Sequence, residues 1–159
     1  MEISVAASPS RLAGLRHAVR TSLREAPDAI PSEVADDVVL AVSEAATNAI
    51  LHGSAGAQPV TVTVRVHSGW IEATIRDRGR PAAPHAAVVL GLGRGLWLIG
   101  QLADELRLTK TRPGTLVTLY WCIGDTAETR SSFLDLSNAY VPQPRTSHAP
   151  VGHNRGVAP

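Results

Sequence analysis

Residues 38–53, VVLAVSEAATNAILHG, form a run rich in Val, Ala, Leu and Ile that carries one carboxylate and one carboxamide in its middle, Glu44 and Asn48. Four residues is close to one helical turn, so on a helix both side chains point the same way. Two readings are open. The pair belongs to a solvated or helix-packed polar face, or it floors a site. In a site, a carboxamide oxygen ligates a hard cation such as magnesium, and a carboxylate accepts a proton from a nucleophile.

Three further signals follow along the chain. Asp77 falls, by period-two counting, on the same face as Ile71, Ala73 and Ile75. A carboxylate closing an apolar stripe is costly unless paired or wet. The following "DRG" turns the chain, so Asp77 is either a turn residue accepting backbone N–H bonds or a buried acceptor for a ligand amine, such as the exocyclic amine of adenine. In "GLGRGLWLIG", Gly91, Gly93 and Gly95 alternate just before a helix, whose free first-turn N–H groups attract phosphate. The cluster is a phosphate cradle or a flexible hinge, and Arg94 is a phosphate contact or a solvated charge. It is no Walker A loop, and it does not follow a strand as the dinucleotide fingerprint requires. Finally, Thr115, after Gly114, is either a good strand former or supports Asp77 with its hydroxyl across neighbouring strands.

The elements that must position these residues are legible from pattern. "EISVA", 2–6, reads as an edge strand. Ser8 or Ser10 caps a first helix to about Glu25, with Leu12, Leu15, Val19 and Leu23 as its apolar stripe. Ser32 caps a second helix from about Glu33 to His52, which Gly53 stops. On its wheel Val38, Val42, Ala45, Ala46 and Ala49 face the sheet, while Glu44 and Asn48 lie opposite, flanked by Leu40, Ala41 and Leu51. Strands at 60–67 and 70–77 alternate around a Ser68-Gly69 hairpin turn. A Pro/Ala-rich loop (80–90), a third helix (about 95–105) and a hairpin of strands at about 106–111 and 115–122, joined by "RPG", follow. This order predicts an α/β (α+β) two-layer sandwich, one sheet with helices on one face, over residues 1–123. Residues 124–159 are Pro-rich and aperiodic, the composition of a disordered tail.

The chain has 159 residues, 44% hydrophobic and 18% charged, with a net charge of +1. That length supports one domain with a proper core. The near-neutral charge provides no electrostatic footprint for nucleic acid or an anionic membrane. The single cysteine, Cys122, excludes an intramolecular disulfide and a cysteine-based zinc cluster. The absence of a basic-then-apolar leader pattern fits a cytoplasmic protein.

In order, "EAATNAILHG", "DRG", "GLGRGL" and "GT" resemble the four boxes of the ATPase superfamily that includes gyrase, histidine kinases and a heat-shock chaperone. "VSEAATNAILHG" is most similar to the bacterial anti-sigma factor serine kinases. The resemblance covers about residues 8–122. It implies the Bergerat ATP-binding fold, with a mixed or antiparallel sheet, and ATP and magnesium as ligands. It assigns Glu44 as general base and Asn48 as magnesium ligand. Asp77 would bind the adenine amine, with Gly79 allowing close backbone approach and Thr115 supporting the base. Gly91, Gly93 and Gly95 would form the lid hinge, and Arg94 and Leu96 match the family's "GRGL" form. His52 and Gly53 complete the first box in a structural role. The sequence departs where the family's "DxGxG" ends in Pro81 and where the lid is short. The implied function is an anti-sigma factor that holds a sigma factor and phosphorylates a Ser or Thr of a STAS-type anti-anti-sigma antagonist; such kinases are often homodimers. A non-catalytic sequestering module and an ATP-hydrolysing switch are the alternatives.

Overall fold

The computed structural model describes residues 1–5, 8–53, 58–79, 94–111 and 114–124. Five strands form one sheet: β1 (Glu2–Val5), β2 (Val60–His67), β3 (Trp70–Arg76), β4 (Glu105–Thr111) and β5 (Gly114–Cys122). Their spatial order is β1-β2-β3-β5-β4, and every neighbouring pair is antiparallel. Among the described residues three α-helices accompany the sheet: α1 (Leu12–Arg24), α2 (Ser32–Asn48) and α3 (Arg94–Leu102). The expected two-layer α+β architecture is therefore present, and the sheet is antiparallel among the described strands.

Alternation decides which face of the sheet is covered. Val60, Val62 and Val64 of β2, Ile71, Ala73 and Ile75 of β3, and Val117, Leu119 and Trp121 of β5 are buried. The registers Val62↔Ile75, Val64↔Ala73, Ile71↔Trp121 and Ala73↔Leu119 place them in rows on one face. Each such side chain withdrawn from water contributes about 1.5–3 kcal/mol. On the other face Trp70 stacks on His67, with ring centroids 3.7 Å apart, and the Arg107 guanidinium lies over the Tyr120 ring.

Helix α2 supplies the matching surface. Val38, Val39, Ala41, Val42, Ala45 and Ala46 are all buried, and the alanines keep the helix surface low where it meets β2, β3 and β5. Ala41 is wholly buried, whereas Leu40 and Leu51 are exposed. It thus belongs to the core side although, three residues before Glu44, it neighbours that carboxylate on the helix. Helix α1 buries Leu12, Leu15, Val19 and Leu23, the stripe expected, and packs on α2. An Arg20–Asp36 ion pair at 2.8 Å also joins the two helices, on an exposed surface where it adds little.

The helix ends differ from expectation. A 3-10 turn, Pro9–Arg11, precedes α1, and Ser8 makes no side-chain cap bond; its Oγ meets the Ser10 Oγ at 2.8 Å instead. Ser32 is the first residue of α2 and not its cap, a place taken by Pro31. The second helix does not run regularly to His52. Its α-helical part stops at Asn48, and Ala49–Gly53 continue as a π-helical turn. The third helix stops at Leu102, and β4 begins already at Glu105.

The strand order has one consequence for function. β5 lies between β3 and β4, so the end of β3 is set beside the start of β5. The Trp121 indole N–H donates to the Leu102 carbonyl at 2.7 Å, tying the end of α3 to the centre of the sheet. Trp121→Phe removes this donor and is expected to lower unfolding free energy by about 1–2 kcal/mol, read by chemical denaturation at unchanged far-UV circular dichroism.

Candidate functional site

The candidate residues are distributed over the end of α2, the end of β3, the start of β5 and the start of α3. Glu44 and Asn48 lie one turn apart on α2, and both are half-buried. This places them between the core face of the helix and open water. The Gly95 backbone, in the first turn of α3, packs directly on Asn48. A Cβ built at residue 95 would lie 3.0 Å from Asn48 Nδ2 and 3.3 Å from Oδ1. The absent side chain thus lets the amino end of α3 come up to the carboxamide. The first-turn N–H groups of α3 have no partner within the helix and attract anions. Along the same face of α3, one turn on, Ile99 is fully buried, and Leu96 beside Gly95 packs against the core.

Asp77 follows β3 and is 4% exposed, as the alternation predicts. Its backbone N–H donates to the Thr115 carbonyl at 3.0 Å, so the two residues are directly opposed across β3 and β5. The link expected through the Thr115 hydroxyl is thus made by the main chain. The Asp77 Oδ1 accepts the Gly79 N–H at 2.9 Å, the turn bond that "DRG" suggested. Asp77 thus closes the turn through one oxygen while lying buried on the core side of the sheet.

Two glycines not singled out for close packing surround this carboxylate. A Cβ on Gly53 would lie 2.5 Å from both Asp77 Cγ and Oδ2. A Cβ on Gly114 would lie 2.5 Å from Oδ1 and closer still to the Asp77 carbonyl oxygen. Gly114 also has φ +148°, a conformation that side-chain-bearing residues rarely adopt. The sequence carried a trace of both, in the "HG" ending of the second helix and in "RPG". Each was read as a stop or a turn, because nothing local shows which distant side chain a glycine will touch.

The π-helical turn joins the two halves of the site. It starts directly after Asn48, which meets α3, and ends at Gly53, which meets Asp77. Asn48, Gly95, Asp77, Gly79 and Thr115 are thus brought to one end of the fold, with Glu44 one turn back along α2. Gly91 and Gly93 lie outside the described residues, as does the side chain of Arg94, whose backbone opens α3. Among the described residues no group of three or more His, Cys, Asp or Glu side chains could hold a metal ion.

The profile of the histidine kinase-like ATPase domain matches residues 5–121, most of the chain. The chain belongs to that family. ATPase domains of this family bind ATP with magnesium, and the antiparallel sheet with its helices is consistent with their fold. Among solved structures, the chain is similar to the RsbU and RsbW domains of a Mycobacterium tuberculosis protein, with 25% identity and a TM-score of 0.62. That match covers 77% of this chain and 31% of the other, so the chain spans about a third of that structure's length. A blue-light activated histidine kinase from Erythrobacter litoralis matches with 25% identity and a TM-score of 0.51, covering 77% of this chain and 46% of that one. Its separately solved histidine kinase domain, 24% identical with a TM-score of 0.54, shares the fold over 72% of this chain and 64% of its own. A search of curated proteins gives no significant match. Among the described residues, no helix is long and apolar enough to cross a membrane.

Substitution of the glycines separates close packing from mere helix breaking. Gly114→Ala is expected to lower stability by about 1–3 kcal/mol through backbone strain alone, with the clash against Asp77 adding to it. Gly100, inside α3 with nothing within 4 Å of a built Cβ, is the control. Gly100→Ala is expected to raise stability by up to about 1 kcal/mol. Thermal melts of the two variants beside the parent check both signs.

Proposed function

We propose that residues 1–123 form an ATP-binding protein kinase domain that phosphorylates a Ser or Thr of an anti-anti-sigma antagonist and, by binding a sigma factor, holds it inactive. The observation that carries this reading is the meeting of the Gly95 end of α3 with Asn48, on the same helix run whose other end meets Asp77 through Gly53. An extended ligand with a base at one end and phosphates at the other matches that layout. The similarity to a structure that includes an RsbW domain supports the choice of partner-switching chemistry over other uses of the fold.

In this reading the Asp77 carboxylate accepts the adenine amine, with Gly79 and Thr115 closing the turn and strand beside it. The first-turn N–H groups of α3 take phosphate oxygens, with Gly91, Gly93, Arg94 and Leu96 forming the phosphate-side loop and its junction. The donor set near the phosphates fits magnesium: one carboxamide oxygen, Asn48 Oδ1, with phosphate oxygens and water supplying the rest. When bound, magnesium neutralises phosphate charge. Glu44 accepts the proton of the incoming hydroxyl. The hydroxyl oxygen forms its bond to the γ-phosphorus as the bond to the β–γ bridging oxygen breaks and ADP leaves. Little covalent work falls to the protein, so positioning and charge stabilisation carry the rate.

The test uses labelled ATP, magnesium and a STAS-type antagonist. Glu44→Gln is expected to reduce labelling of the antagonist by about 10²–10⁴-fold while leaving ATP affinity within a few-fold of the parent. Equal labelling by the variant removes Glu44 as base. Binding of ATP and of a sigma factor with no labelling by the parent replaces the kinase with a sequestering module. Phosphate release without any antagonist replaces it with a hydrolytic switch.

A further inference from the structure

The Asp77 carboxylate is held between two backbones. One oxygen, Oδ1, accepts the Gly79 N–H and lies against Gly114; the other, Oδ2, lies against Gly53. A Cβ at either glycine would come within 2.5 Å of a carboxylate oxygen, a separation that side-chain carbons do not tolerate. The two contacts differ in kind. Gly114 has φ +148°, so its backbone alone requires glycine. Gly53 has no positive φ among the glycines that do, Gly69 and Gly114. Its need for a missing side chain comes from the neighbour it faces and not from its own conformation.

We infer that Gly53 is a specificity-determining positioning residue: it leaves the Asp77 carboxylate in the one orientation that presents Oδ2 to a donor on the edge of a purine. The inference rests on the proposed nucleotide reading and adds a residue to it. With Oδ1 committed to the Gly79 N–H, Oδ2 is the oxygen free to choose between bases. A methyl group at residue 53 would displace Oδ2 or turn the carboxylate about its own axis, and turning is opposed on the far side by Gly114. The displaced acceptor no longer favours a 6-amino purine over a 6-oxo purine. Gly53 touches no reacting atom in this scheme; it acts through Asp77. The π-helical turn is the structural device that brings it there, five residues beyond Asn48.

The experiment measures dissociation constants of Mg-ATP and Mg-ITP by calorimetry for the full chain and for Gly53→Ala, with Asp77→Asn as reference. The parent is expected to prefer ATP by about tenfold or more, because a site built to accept an N–H rejects an analogue that lacks it. Gly53→Ala is expected to bring that preference close to one, with ATP affinity falling more than ITP affinity, as Asp77→Asn does. A general loosening of the fold would weaken both nucleotides alike and would overturn the inference, as would a folded Gly53→Ala protein with the parent's preference. Should the parent bind neither nucleotide, the nucleotide reading itself fails, an outcome distinct from the other two. Should Gly53→Ala fail to fold, the double variant Gly53→Ala/Asp77→Ala decides. Removing Cγ and both oxygens leaves only the Asp77 Cβ, 3.0 Å from the built atom, so the double variant is expected to regain a cooperative melt. A double variant as unfolded as the single one contradicts the carboxylate as the group that Gly53 accommodates.

Discussion

A carboxylate cannot sit at the end of an apolar strand, nearly sealed from water, without hydrogen-bond donors for its lone pairs. Asp77 is in that position, with 4% of its surface exposed. An uncompensated ionised carboxyl there would be strongly unfavourable. The structure answers part of this need with the Gly79 N–H and fixes the residue further through the Thr115 carbonyl. It then brings the backbones of Gly53 and Gly114 close enough that no side chain fits at either. Two chain segments far apart in sequence are thereby pinned to one carboxylate. The position of the α2 end, the register of β3 on β5 and the glycine at the start of β5 all follow from accommodating that group.

Helix α2 serves two ends at once. One side, of valines and alanines, fills the core against the sheet; the other offers Glu44 and Asn48 at the margin of that core. Packing makes the helix rigid, and rigidity fixes the direction in which the polar pair points. Small residues recur where α2 meets its neighbours and again at Gly95, so the amino end of α3 reaches the carboxamide. Placing the candidate groups on a helix and a strand end, and not on loops alone, would hold them to the tolerance that the proposed phosphoryl transfer requires.

Period and spacing were enough to read the sheet and the paired polar groups. Alternation in Val60–Val66 and Ile71–Asp77 located the buried face, and the four-residue step from Glu44 to Asn48 located a shared helix side. The strand order was not legible, because insertion of β5 between β3 and β4 depends on pairings between distant segments. Helix ends depart from expectation for local reasons: Ser8 and Ser32 have the chemistry of caps, but Ser8 precedes a 3-10 turn that delays α1 until after Arg11, and Pro31 takes the cap place before Ser32. The π-helical turn escaped notice because Ala49–Gly53 continues the helical pattern of α2. By pattern alone Gly53 and Gly114 read as punctuation, and the resemblance adds only their membership of two boxes, since a close approach is a property of two segments and a sequence presents one at a time. Thr115 was placed correctly beside Asp77 but for the wrong atoms, main chain in place of hydroxyl.

The central claim of the proposed function is that one site, with Asp77 at one end and Asn48 at the other, accepts a single metal–nucleotide complex. A crystal structure of the chain with magnesium and a non-hydrolysable ATP analogue tests it most directly. The account predicts the adenine amine about 2.7–3.2 Å from an Asp77 carboxylate oxygen, with the metal ligated by Asn48. A nucleotide seated on another surface, or a purine at this site with no contact to Asp77, would contradict it.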